Sequence, residues 1–156
     1  MSKIKRTTPY NPDFLKLVIL LDQDLATRDG EDHAFYAQFD KLDKINHVVV
    51  CYEDGVAIGC GAFKKFDLNT AEIKRMYVHP DFRGKGIASS ILKELETWAS
   101  EYDFTNYVLE TGTNNPDAIS LYRKSGYEII PNYGQYENIE TSVCLKKHSI
   151  NNLNSN

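Results

Sequence analysis

Apolar and polar positions along the chain follow two periods, and the switches between them mark its elements. Residues 3–8 are predicted to form a short first strand, ended by Pro9 and Asn11-Pro12. From Asp13 onward Phe14, Leu15, Val18, Ile19 and Leu25 recur at helical spacing, which predicts a helix. A second short helix is predicted from His33 to Phe39. From His47 the period becomes that of strands: HVVVCYEDGVAIGCGAF reads as two β-runs joined by Glu53-Asp54-Gly55, and Asp-Gly is a hairpin signal. A turn at Asp67-Leu68-Asn69-Thr70 leads into AEIKRMYV, residues 71–78, which adds a further strand to the meander.

Beyond Pro80 the helical period returns. Ile87, Ile91, Leu92, Leu95, Trp98 and Ala99 share one face, which predicts a long amphipathic helix. NYVLET, residues 106–111, reads as a buried strand; Asn114-Asn115-Pro116 opens another helix and Ser125-Gly126 stops it. YEII begins a strand that Pro131 interrupts, and TSVCLKK, residues 141–147, supplies the last one. This alternation is that of an α/β (α+β) fold. One domain over residues 1–147 and a polar, disordered tail over 148–156 are expected, with no internal repeat.

Composition narrows the chemistry by exclusion. No apolar run reaches the roughly 20 residues of a membrane span, and MSKIKRTTPY lacks the apolar core of a signal peptide, so no membrane partner and a cytoplasmic location are expected. A formal charge of -4 argues against a nucleic-acid partner. Cys51, Cys60 and Cys144 lie in β-like runs without CxxC spacing and read as buried free thiols. The four histidines have no metal-ligand spacing, so no metal is expected.

One stretch carries positive chemical information: VHPDFRGKGIASSIL, residues 78–92, where bare backbone enters the amphipathic helix. The first turn of a helix has N–H groups without intrahelical partners and is the positive end of the aligned peptide dipoles. Gly84 and Gly86 remove the Cβ atoms that would hold a bulky anion off, and Arg83 and Lys85 add mobile positive charge. The spacing is neither GxxxxGK[ST] nor GxGxxG. Taken alone, the two glycines are equally consistent with a tight strand-to-helix turn.

In its context this stretch resembles the acetyl-CoA site of the GNAT superfamily of N-acetyltransferases. The pattern Arg/Gln-x-x-Gly-x-Gly/Ala is met by Arg83, Gly84, Lys85, Gly86, Ile87 and Ala88. Downstream, NPDAISLYRKSGY, residues 115–127, is similar to the family's Asn-x-x-Ala-x-x-Leu-Tyr-x-x-x-Gly-Tyr/Phe segment. The resemblance runs from residue 3 to about 147 and is strongest over 71–127. It implies a single mixed, mostly antiparallel sheet of about six or seven strands, splayed between strands four and five, with helices on both faces. In that family the pantetheine arm of acetyl-CoA lies in the splay and the glycine turn holds its pyrophosphate.

Acyl transfer from a thioester to an amine needs a neutral nucleophile, a stabilised carbonyl oxygen and a proton for the leaving thiolate. A Lys-type amine titrates near roughly 10.4, so a carboxylate or ordered water must take its proton near neutrality. Glu72, eleven positions before Arg83, matches the catalytic glutamate of the family's histone-type enzymes, with Glu110 on the fifth strand in reserve. The resemblance also implies that the N–H of Met76 faces the thioester carbonyl, that Val78 pairs with the pantetheine amides alongside Tyr77, and that Tyr122 protonates the leaving sulfur. Asn115 matches a cofactor-contacting asparagine, and Asn is equally a good helix cap. Tyr133 and Tyr136 lie in PNYGQY, a loop that Gly134 frees to close over the acceptor.

The implied function is an acetyl-CoA-dependent N-acetyltransferase moving acetyl directly to a primary amine of a small molecule or peptide. A covalent enzyme intermediate is not expected, because Cys60 and Cys144 have no histidine neighbour in sequence. The rival is a non-catalytic acyl-CoA sensor of the same fold. Dimers are common in the family, so a homodimer is among the expectations.

Overall fold

The computed structural model describes residues 2–29 and 44–149. The helix expected from His33 to Phe39 lies outside the described residues. Seven strands, β1 (Ser2–Thr7), β2 (His47–Glu53), β3 (Val56–Lys65), β4 (Thr70–Val78), β5 (Asn106–Gly112), β6 (Glu128–Ile130) and β7 (Ser142–His148), form one sheet in the order β1-β2-β3-β4-β5-β7-β6. Among the described residues, three α-helices accompany them: α1 (Pro12–Asp29), α2 (Ile87–Ser100) and α3 (Pro116–Lys124). The pairs β1–β2, β2–β3, β5–β7 and β6–β7 are antiparallel, whereas β4 with β5 is parallel and confined to Thr70, Ala71 and Glu72 against Asn106, Tyr107 and Val108. The mixed sheet splayed at strands four and five is thus the expected one.

The described chain forms two compact units, Met1–Lys64 with Lys74–Leu95 and Lys65–Ile73 with Glu96–Asn156, so that β4 and α2 each run from one unit into the other. In the first unit Asp54 and Gly55 both take positive φ, which closes the β2–β3 hairpin in two residues. The Asn11 side chain caps α1 by accepting from the amides of Asp13 at 2.8 Å and Phe14 at 3.3 Å. Phe14, Leu17 and Leu21 of α1 are buried with Val48, Val50, Cys60 and Ala62, one face of the β2–β3 pair.

The opposite face of that pair meets α2. Val49 pairs with Gly61 and Cys51 with Gly59, and a Cβ added at Gly61 would stand 2.7 Å from Leu95 Cδ1 and 2.9 Å from Ile91 Cγ2. Glycine here is what lets the helix approach. Covering both faces explains why Val48, Val49, Val50 and Cys51 are all buried, an uninterrupted apolar run instead of an alternating one. Each such side chain contributes roughly 1.5–3 kcal/mol when fully removed from water.

On α1, Leu15 and Ile19 are 49% and 58% exposed, while Leu17 and Leu21 face the core. The helix carries more apolar residues than one stripe holds, and the sheet selects among them. At the other end, β7 continues through His148, and buried Ser149 donates its amide to the Thr105 carbonyl at 2.7 Å. His148 and Ser149 thus extend the folded chain beside β5.

In the second unit β5 pairs with β7 over seven residues, from Asn106 with His148 to Gly112 with Ser142. Its core contains a polar knot. Glu96 accepts from the Lys147 ammonium at 2.8 Å and from the Tyr127 hydroxyl at 2.8 Å, while Tyr107 donates to the Glu96 main-chain carbonyl at 2.9 Å.

Candidate active site

The strand-to-helix turn of the first unit is built in steps. After β4 the His79 amide bonds the Ile58 carbonyl at 2.8 Å, and a 3-10 turn, Pro80–Phe82, follows, with His79 Nδ1 accepting from the Asp81 amide at 3.2 Å. Gly84 and Gly86 then take φ of 78° and 80°, the left-handed region that side chains other than glycine enter at a cost. A Cβ added at either would meet nothing within 4 Å, so the backbone conformation, not crowding, demands glycine there. The first i→i−4 bond of this helix start runs from the Ser90 amide to the Gly86 carbonyl, and the amides of Ile87, Ala88 and Ser89 before it point out of the positive end of α2.

Arg83 departs from the expectation of a mobile charge. Its Nε donates to the Val78 carbonyl at 2.7 Å, its guanidinium lies 3.9 Å from the Asp24 carboxylate, and it sits 5.6 Å over the Tyr77 ring. A planar, multiply donating head is fixed by partners on three sides. The bond uses one lone pair of the Val78 carbonyl and leaves the other. Lys85, exposed, stands 5.4 Å over the Phe82 ring. One residue before Met76, Arg75 has φ of 58°, and its carbonyl accepts from the Cys60 thiol at 3.3 Å. A non-glycine residue in the left-handed region interrupts the regular strand conformation here.

The second unit gathers the carboxylates and phenols. Glu72, on the part of β4 paired with β5, is 2% exposed. Its Oε2 accepts from the Tyr133 hydroxyl at 2.7 Å. The Tyr133 ring makes edge contacts with Tyr136 at 5.8 Å and Phe66 at 4.9 Å. Burial first, and the Glu72 charge second, push the Tyr133 phenol far above its usual value.

Glu110 faces Cys144 across the β5–β7 ladder and accepts from the Ser142 hydroxyl at 2.7 Å. Tyr122, buried on α3, has its phenol pushed up by burial and then by the Glu110 charge, so it keeps its proton well into alkaline solution. Burial raises the Cys144 thiol to about 11 against an opposing hydrogen bond from the Tyr133 main chain. Asn115 caps α3, its Oδ1 accepting from the Ala118 amide at 3.3 Å.

Of the residues singled out in sequence, Met76, Tyr77, Val78, Arg83, Gly84, Lys85, Gly86, Ile87 and Ala88 belong to the first unit. Glu72, Glu110, Asn115, Tyr122, Tyr133 and Tyr136 belong to the second. Within the second, Tyr133 contacts both Glu72 and Tyr136, while Glu110 and Tyr122 are coupled by charge. Sequence reading missed Phe66, Ser142 and Asn132. Ser142 carried a signal: it stands two positions before Cys144 on one strand and so shares its face. Phe66 carried none. Among the described residues, no group of three or more His, Cys, Asp or Glu side chains could hold a metal ion, and no helix is long and apolar enough to cross a membrane.

A buried carboxylate beside phenols that hold their protons supplies a proton acceptor and proton donors, and the glycine turn supplies converging amides for an anion. The chain as a whole is similar to known proteins. An IAA acetyltransferase from Azospirillum brasilense is 28% identical over 146 residues, covering 92% of this chain and 95% of its own. The crystal structure of a Klebsiella pneumoniae protein proposed to be an acyl-CoA N-acyltransferase superposes with a TM-score of 0.82 at 27% identity, over 96% of this chain and 99% of that one. An Elizabethkingia anophelis GNAT acetyltransferase, solved with acetyl-CoA bound, shares the fold with a TM-score of 0.71 at 20% identity, over 94% and 97%. Residues 15–127, which hold β4, the glycine turn, Glu110 and the Tyr122 helix, match the acetyltransferase (GNAT) family model, and the chain belongs to that family.

Proposed function

We propose that the protein transfers acetyl from acetyl-CoA directly to a primary amine of a small molecule or peptide, with Glu72 as the general base. The observation that carries this reading is the burial of Glu72, a 2% exposed carboxylate on the strand that leads to the glycine turn. A structural carboxylate would more commonly stay solvated. The open space beside Gly84 and Gly86 fits an anion, and Gly84, Lys85, Gly86, Ile87 and Ala88 would hold the pyrophosphate with their main-chain amides. Acetyl-CoA supplies the activated acyl group as a thioester.

The chain's own groups account for the rest. Glu72 takes the amine's proton as the new bond forms, and the Met76 amide, next to left-handed Arg75, stabilises the carbonyl oxygen as it gains charge. The Val78 main chain pairs with the pantetheine arm beside Tyr77. Tyr122, which keeps its proton, donates to the departing sulfur. Asn115 contacts the cofactor beyond its cap, and Tyr136 with Glu110 borders the acceptor. Cys60 and Cys144 are poor nucleophiles, with thiols pushed up to about 12 and about 11 by burial, which supports direct transfer.

The test is Glu72→Gln with a panel of primary amines and, after the Azospirillum relative, IAA. The expected result is a fall in kcat of about a hundredfold or more with acetyl-CoA affinity by calorimetry unchanged. Undiminished kcat would refute Glu72 as base. Acetyl-CoA binding by the wild-type protein without turnover of any acceptor would favour the sensor reading.

A further inference from the structure

We propose that Tyr133 is a positioning residue for the Glu72 carboxylate, its hydroxyl holding the carboxylate in the one orientation from which a proton can be taken. This rests on the reading of Glu72 as the base. The Tyr133 hydroxyl lies 2.7 Å from Glu72 Oε2, the distance of a charge-assisted hydrogen bond. Such a donor matters because a buried carboxylate costs heavily without hydrogen bonds.

The donor is itself fixed. Asn132 Nδ2 bridges the loop by donating to the carbonyls of Ile139 and Ser142, both at 3.0 Å. The Tyr133 ring is wedged edge-on between Phe66 and Tyr136. Gly134, with φ of 52°, opens a 3-10 turn whose Tyr136 amide returns to the Tyr133 carbonyl at 2.9 Å. The segment expected to swing over the acceptor is therefore a bracket that carries one hydroxyl to one carboxylate. Proton transfer depends steeply on such placement, and an error of about 1 Å can cost on the order of a hundredfold in rate.

Tyr133→Phe keeps the ring between Phe66 and Tyr136 and removes only the donor. Expected is a fall in kcat of about tenfold or more with the acetyl-CoA KM within about twofold of wild type. In a Glu72→Gln background the same change adds less than about twofold, since its effect passes through the carboxylate. In folded protein labelled with 13C at the tyrosine Cζ, the Tyr133 resonance moves on Glu72→Gln, a readout that does not require Tyr133→Phe to fold. A normal kcat in Tyr133→Phe, an equal loss in the Glu72→Gln background, or an unmoved resonance would each overturn the proposal while leaving Glu72 as base. Full activity of Glu72→Gln would overturn both.

Discussion

Replacing Glu96 by Ala removes the centre of the polar knot in the second unit and leaves its partners in place. Two charge-assisted bonds are lost, from the Lys147 ammonium and the Tyr127 hydroxyl, each at 2.8 Å. What remains is a phenol on a residue 2% exposed and an ammonium whose side chain is 19% exposed. Breaking a buried pair by deleting one partner costs about 3–5 kcal/mol. Lys147 keeps some access to water and can turn outward, which places the expected loss near the lower end, about 3 kcal/mol. At about 2–4 °C per kcal/mol for a chain of this size, the midpoint falls by about 6–12 °C. Tyr127→Phe, which deletes only a donor, costs about 1 kcal/mol. The triple change Glu96→Ala, Tyr127→Phe, Lys147→Met strands no polar group and recovers part of the loss. Urea unfolding followed by circular dichroism measures all three. A Glu96→Ala variant within about 1 kcal/mol of wild type, or a triple variant no more stable than it, would refute the account.

Gly61→Ala places a Cβ 2.6 Å from Met76 Sδ and 2.7 Å from Leu95 Cδ1, so urea midpoints should report a loss of about 1–3 kcal/mol from overpacking. Asn115→Ala removes the α3 cap and costs about 1 kcal/mol, whereas Asn115→Ser restores stability; a raised acetyl-CoA KM in the Ser variant separates a cofactor contact from capping. Folding pushes the Tyr127 phenol above its usual 10.0, by burial first and the Glu96 charge next, and burial raises Tyr133 likewise. These phenols release protons in the unfolded chain before the native one, so their contribution is complete below about pH 10 and lost above it. Unfolding free energies measured from pH 8 to 11 should begin to fall at about 9, where the thiols of Cys51, Cys60 and Cys144 release protons first in the unfolded chain. The fall steepens above about 10 as the phenols join, and a flat curve would contradict the burial of these groups.

The hairpin at Asp54-Gly55, the face of α2 and the glycine turn were legible because each is set by local rules: turn chemistry, a single period and helix-end electrostatics. The inward stripe of α1 was not, because Leu15, Leu17, Ile19 and Leu21 are equally apolar and only the sheet distinguishes them. Arg83 showed its charge in sequence but not its tether, since Asp24 lies on a different helix. The bond between Tyr133 and Glu72 joins residues 61 positions apart through an irregular segment, where no period carries information. Glu96 was hidden for the opposite reason: a polar residue on an amphipathic helix reads as surface, and only the placement of β7 turns it inward.

The three buried thiols have a practical consequence for measurement. Disulfide reagents that release a coloured thiolate are attacked by a protein thiolate, and burial raises the Cys60 thiol to about 12, the Cys144 thiol to about 11 and the Cys51 thiol above its usual value. At neutral pH the folded enzyme is therefore almost silent toward such a dye. Coenzyme liberated during turnover can be counted continuously against this dark background, and a burst of protein-derived colour would mark unfolding in the cuvette.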